Sequence, residues 1–378
     1  MSFRRAARAA FAARSRAYWM LAGCTLVLAG LSASCGNSSH SSSASHNAYV
    51  TLPAKGAVAL LHVNDSTGVM SLGAQTPQVL GTSPKGLALD PGKKFLYVGN
   101  SVANTMSIFS VDGDGSLTLT GPATPVAAGP ATLAIDASGK YLLMTNTFDD
   151  SFSVYSLSTP GAPTLLSTTP LGFKTAPTEI EISPSSNYVY IALSGADLIA
   201  AYSLDSATGN LTLVPGSPFS AGAGVSGMAI DTGSRYLYVA NNSGNSVSAF
   251  AINSANGALT QISGSPYGLG TATAPRAIAI DPSTTFLYVA NQGSNNVAAF
   301  TITSGTGQLT AIVGSPYSAG TSPIQIVAEP AGKFLYVGNQ SSSNVTGFTY
   351  DPTTGKLTAI SGSPFAIGTA PGALEIVH

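Results

Sequence analysis

Two glutamates stand where related segments carry alanine. PKGLALD (84–90), PATLAID (130–136), PTEIEIS (177–183), VSGMAID (225–231), PRAIAID (275–281), PIQIVAE (323–329) and PGALEIV (371–377) align without gaps. At the fifth place four have Ala and one has Val, while the third and seventh have Glu181 and Glu375. Glu179 lies two residues before Glu181, a spacing that puts both side chains on one face of an extended strand. Lys85, Arg276 and Gln325 stand near the leading ends of their own segments. Only 8% of the 378 residues are charged, so these positions form a concentration.

Carboxylates confined beside an apolar axis either pair with cations or keep their protons to higher pH, and the second condition makes a general base. On that reading Glu181 or Glu375 activates water, or holds a divalent cation that does so. Glu179, Arg276, Lys85 and Gln325 then bind the ligand, with Arg276 or Lys85 meeting an acyl oxygen or an acidic substituent. The competing reading is an internal ion-pair network that plugs the space. A substrate phosphate would fall to Arg276 and Lys85, with Lys174 or Lys55 in support. Histidine chemistry is not expected, because His40 and His46 fall in a polar N-terminal stretch, His62 lies away from the aligned segments and His378 ends the chain.

The elements that must position these residues recur. Relatives of FLYVGN begin at 47, 95, 141, 188, 236, 286 and 334, with steps of 46 to 50 residues. A fixed period of this size marks a repeat architecture. Each copy holds four short stretches rich in apolar and β-branched residues, such as AIAIDP, FLYVAN, NVAAFTI and QLTAIVG, with turn residues between them. Four antiparallel strands make one blade of a β-propeller. Seven copies predict an all-β, seven-bladed ring, closed because the N-terminal copy lacks a first strand and GALEIVH supplies one at the C-terminus. Asp90, Asp136, Asp231 and Asp281 are expected to bond turn amides. Asn100, Asn146, Asn241, Asn291 and Asn339, which close five of the hexamers, are expected to adopt the left-handed backbone of a tight loop. DGDG (112–115) reads as a hairpin turn rather than a calcium loop, since other copies carry DSATG or NSANG there.

The YVGN and YVAN strands and the IDP strand ends resemble the YVTN-type repeats of the lactonase-like seven-bladed propeller superfamily over roughly residues 47–378. That resemblance implies the propeller fold. Lactone hydrolases similar to 6-phosphogluconolactonase and muconate-cyclising enzymes belong to the superfamily, beside surface proteins without a known reaction.

The net charge of -1 gives no field to draw nucleic acid. Both cysteines, Cys24 and Cys35, lie in an N-terminal stretch where five arginines precede AYWMLAGCTLVLAGLSA and a Ser-rich run. This predicts a lipoprotein-type signal over 1–34, lipidation of Cys35, a tether over 35–46 and the propeller over 47–378. Cys24 is the alternative processing site, and an uncleaved membrane anchor is the alternative fate. Two functions follow from the residues. One is an extracytoplasmic, lipid-anchored monomer that binds a small molecule, carbohydrate or protein through the polar loops 99–105, 241–246, 291–296 and 339–344. The other is a lactone hydrolase that uses the aligned carboxylates.

Overall fold

The computed structural model describes residues 45–76 and 82–377. The expected signal, Cys24, Cys35, His40, His378 and most of the tether lie outside the described residues. Among the described residues no helix is long and apolar enough to cross a membrane.

The chain forms seven antiparallel sheets. Six are consecutive blades whose innermost strands are Pro84–Leu89, Pro130–Ile135, Pro177–Ile182, Val225–Ile230, Pro275–Ile280 and Pro323–Ala328. We number these blades 1 to 6. Blade 7 is composite: Leu374–Ile376 pairs with Ser45–Leu52, placing Glu375 opposite Tyr49, and Ala57–Asn64 and Met70–Gln75 complete it. The ring therefore closes as the split repeat predicts. In five blades the outer strand is broken into two short pieces that both pair with the third strand. In four of these the break is Gly-Ser-Pro, where Ser217, Ser265, Ser315 or Ser363 accepts a third-strand amide through its hydroxyl.

The core lies between blades, and the hexamer builds it. In FLYVGN and its relatives the alternate apolar residues face opposite neighbours, so one strand enters two hydrophobic clusters; Tyr238 joins one and Val239 another. Six of the seven copies have a fully buried Tyr at the third position. Tyr49, Tyr190, Tyr238, Tyr288 and Tyr336 each donate to a glycine carbonyl in the next blade's outer hairpin, at 2.7 to 3.0 Å. Those hairpin glycines, such as Gly307 at φ +70°, are left-handed, and the side chain that opens the hexamer covers the place a Cβ would take, an aromatic ring in four cases and Asn47 at Gly115. FLYVGN thus specifies a blade-to-blade seal.

Two expectations need correction. The closing Asn is not the left-handed residue. Asn100, Asn146, Asn241, Asn291 and Asn339 are fully buried, and their amides donate to polar side chains on the third strand, as Asn241 does to Ser246 and Ser248 at 2.9 Å. The positive φ falls four residues later, at Asn104, Asp150, Asp197, Asn245, Asn295 and Ser343. There the Asn or Asp carboxamide or carboxylate oxygen accepts from the chain entering the next innermost strand, as Asn245 does from Ala274 at 2.7 Å. The tether also ends earlier than expected. Ser45 and His46 pair with Asn64 and Val63, so His46 belongs to the first strand. Its imidazole sits between Asp65 at 2.7 Å and the buried Glu329 at 3.3 Å. The turn role of the strand-end aspartates holds: Asp281 Oδ1 accepts the amides of Thr285 and Phe286.

Candidate functional site

The innermost strands surround a cavity of about 370 Å³. Lys85, Glu179, Glu181, Arg276, Gln325 and Glu375 all line it, so every residue singled out by the segment alignment meets in one place. Strand alternation explains Glu179 and Glu181, whose neighbour Ile180 is buried between blades. It does not explain Lys85 and Arg276, which have the opposite parity. A β-bulge does. In blades 1, 3, 5 and 6 the register slips after the first residue, as between Pro84 and Gly86 or Pro275 and Ala277. One extra residue is inserted there, re-aiming Lys85, Thr178, Arg276 and Ile324 toward the mouth.

The cavity charges are enclosed yet touched by channel solvent: Glu179, Glu181, Glu375 and Arg276 are half-buried and Lys85 is exposed at the mouth. Enclosure by protein pushes the Glu375 carboxyl up to about 7. Burial also raises Glu179 to about 7, against the Arg276 charge, the Ile180 amide and Lys85, which pull it down. Glu181 is raised well above the usual carboxylate range by burial and then by the charges of Glu179 and Glu375. Although the Lys85 side chain reaches solvent, the protein crowded around it, and next Arg276, hold its ammonium below the ordinary range, with Glu179 opposing. Among the described residues neither Lys85 nor Arg276 makes a direct ion pair with a channel carboxylate; the ion pairs there are His46 with Asp65 and Glu329, and Arg235 with Asp231. The charges therefore act on one another across open space rather than neutralising in contact.

Two channel residues escaped the sequence reading. Thr132 shares the layer of Glu179 and donates to the Thr178 carbonyl at 2.6 Å, tying blade 2 to blade 3. Thr178 lines the same cavity, and its buried hydroxyl has no hydrogen-bond partner. Thr132 could have been found, because the matching place holds Gly, Ala or a longer polar residue in every other copy. Thr178 could not, because its aim depends on the bulge.

Other candidates lie elsewhere. Lys55 donates to Gln75 at 3.2 Å, and Lys174 lies over the Phe173 ring at 5.1 Å; neither lines the cavity. His62 meets Asn47 at 3.0 Å on the third strand of blade 7. In DGDG, Asp114 accepts from the Ser116 amide and hydroxyl within a hairpin. Among the described residues no three His, Cys, Asp or Glu side chains come close enough to hold a metal ion.

A seven-bladed ring with a charged central cavity defines the class. Residues 47–370 match the family described as Lactonase, 7-bladed beta-propeller, and the chain belongs to that family. No functionally curated protein matches it. Several solved structures share the fold. A Bacteroides fragilis protein provisionally assigned as a 6-phosphogluconolactonase is 21% identical with a TM-score of 0.78, covering 90% of this chain and 99% of its own. A Lactobacillus plantarum protein is 20% identical with a TM-score of 0.78, covering 89% and 100%. The periplasmic gluconolactonase of Pseudomonas aeruginosa is 20% identical with a TM-score of 0.74, covering 89% and 99%.

Proposed function

We propose that this protein hydrolyses a lactone in its central channel. The observation that carries the reading is the set of three carboxylates in one cavity of about 370 Å³, held above their ordinary range with no cation in direct contact. Groups pushed to different protonation states divide the roles of acid and base. Glu375 is ionised above about pH 7 and takes a proton from water as that water bonds to the acyl carbon. Glu181, which burial and then the charges of Glu179 and Glu375 hold well above the usual carboxylate range, gives its proton to the ring oxygen as the C–O bond breaks. Lys85 and Arg276 at the mouth stabilise the oxyanion and then the product's carboxyl group, which ionises by releasing its proton to solvent. Channel water returns the proton from Glu375 to Glu181.

The family membership supports this reading, and so do neighbours whose names denote lactonases. Binding through the neutral loops is weaker, because their Asn side chains are engaged within the ring. We further place the protein outside the cytoplasm, attached by a lipid on Cys35 and acting as a monomer. The N-terminal charge and apolar pattern supports the export, and one neighbour is periplasmic.

A panel of lactones assayed with the wild type, Glu181→Gln and Glu375→Gln tests the reaction. Hydrolysis should fall by about 10²-fold or more in each variant. In the wild type, kcat/KM should rise with pH through about 7 as Glu375 ionises. No turnover of any lactone would remove the proposal.

A further inference from the structure

The mouth of the channel is not uniform. At the second loop residue after the hexamer, four blades have Gly195, Ser243, Gly293 and Ser341, whereas blades 1 and 2 have Val102 and Phe148. These are 61% and 69% exposed, and Phe173, on the loop that leads into blade 3, is 86% exposed.

The loops that carry the three are tied to one another. Asn104, on the Val102 loop, accepts from the Gly129 amide at 2.9 Å, and the Phe148 ring covers Gly129. Asp150, two residues after Phe148, accepts the amides of Lys174 and Ala176 at 2.8 Å, fixing the Phe173 loop against it. These loops also adjoin the charged cavity. Ser101 donates to the Ser83 carbonyl at 3.1 Å, two residues before Lys85, and Thr147 donates to the Pro177 carbonyl at 2.7 Å, two residues before Glu179. Exposed aromatic side chains grouped beside a polar site are the usual lining for the apolar part of a ligand.

We infer that Val102, Phe148 and Phe173 form an apolar subsite, and that the substrate is a lactone bearing an alkyl or aryl substituent rather than a bare polar ring. This rests on the lactonase reading. The ring sits at Glu179, Glu181 and Glu375, and the substituent runs out over blades 1 to 3. Glu179 lies about 7 Å along its strand from Pro177, so a chain of about five or six carbons reaches the rim.

The test uses γ-lactones with linear alkyl chains of increasing length, on the wild type and on Phe148→Ser/Phe173→Ser, with Val313→Ser as control because Val313 is 81% exposed in the turn after the outer strand Leu309–Ala311 of blade 5. In the wild type and the control, kcat/KM should rise about twofold per half-covered methylene and about fourfold per fully covered one once the chain reaches the rim, and this slope should flatten in the double variant. Turnover without chain-length dependence, or with an unchanged slope in the double variant, overturns the subsite and leaves the lactonase reading standing. If no lactone is hydrolysed, that reading fails, and the matching lactams, followed by calorimetry, decide the subsite alone. A Kd that tightens with chain length in the wild type but not in the double variant supports it; a flat series overturns it. A dimer in sedimentation that the double variant dissolves, with flat ligand series, would assign these side chains to a second copy of the chain.

Discussion

The second strands and the innermost strands of this ring obey opposite rules. Along the second strands nearly every copy repeats the same residues, and the polar donors are used: Tyr hydroxyls reach hairpin carbonyls and Asn amides reach third-strand hydroxyls. Along the innermost strands the copies diverge, and three carboxylates share an enclosed space without a contacting cation. Repetition with Tyr and Asn donors paired marks the part selected for stability, even though the amide oxygens of Asn100, Asn146, Asn291 and Asn339 stay buried without a partner. Divergence with unsatisfied charge marks the part held at a cost to it, which is how functional sites depart from local consistency.

The comparison breaks most visibly where both rules meet, on Leu374–Ile376. This strand closes the ring through buried Leu374 and Ile376 and also carries Glu375 into the channel. Removing residues 371–378 should cost about 5 kcal/mol or more, from two buried aliphatic side chains and a newly open sheet edge. For a domain of this size that is a fall in Tm of about 7 °C or more by calorimetry. An unchanged Tm would mean that blade 7 does not depend on the C-terminal strand.

Changing only the charge separates the two contributions. Burial raises the folded-state pKa of Glu375 from 4.5 to about 7. The folded form therefore binds the proton more tightly than the unfolded one, and stability is lost as pH rises from about 4.5 to about 7. Channel water screens the charge, which limits the loss to less than about 3 kcal/mol. Glu375→Gln should flatten that part of the stability profile, measured by urea unfolding at several pH values, while lowering hydrolysis. A steeper loss in the variant would place the carboxylate in a stabilising pair.

Much of this division was legible in the sequence because a repeat supplies its own control. A period of 46 to 50 residues fixes strand order and blade number, and Glu181 and Glu375 stand out against four alanines at the same place. What stayed hidden depends on register between strands. The bulge that turns Lys85, Thr178 and Arg276 into the channel is one inserted residue against a partner strand, and no single strand records it. Residue type points the hexamer Asn to the turn, yet it lies buried one step before the turn while the left-handed residue comes four later. The Ser-rich surroundings of His46 read as tether; its partners Asp65 and Glu329 are 19 and 283 residues away in sequence and meet it only in the ring.

The smallest effect tests whether the closing seam equals an ordinary blade interface. Tyr238 donates to Gly307 at 2.9 Å between consecutive blades, and Tyr336 donates to Gly68 at 2.8 Å across the junction between blade 6 and composite blade 7. Both phenols are fully buried, and both acceptors are left-handed hairpin glycines. Tyr→Phe keeps the ring and its packing while leaving a buried carbonyl without its donor, which costs about 1 to 3 kcal/mol. If the seam is an ordinary interface, Tyr238→Phe and Tyr336→Phe should lose the same stability in urea unfolding, within about 0.5 kcal/mol. A clearly smaller loss for Tyr336→Phe would show that the junction opens before the rest of the ring, and stability would then be limited by closure rather than by the repeated seal.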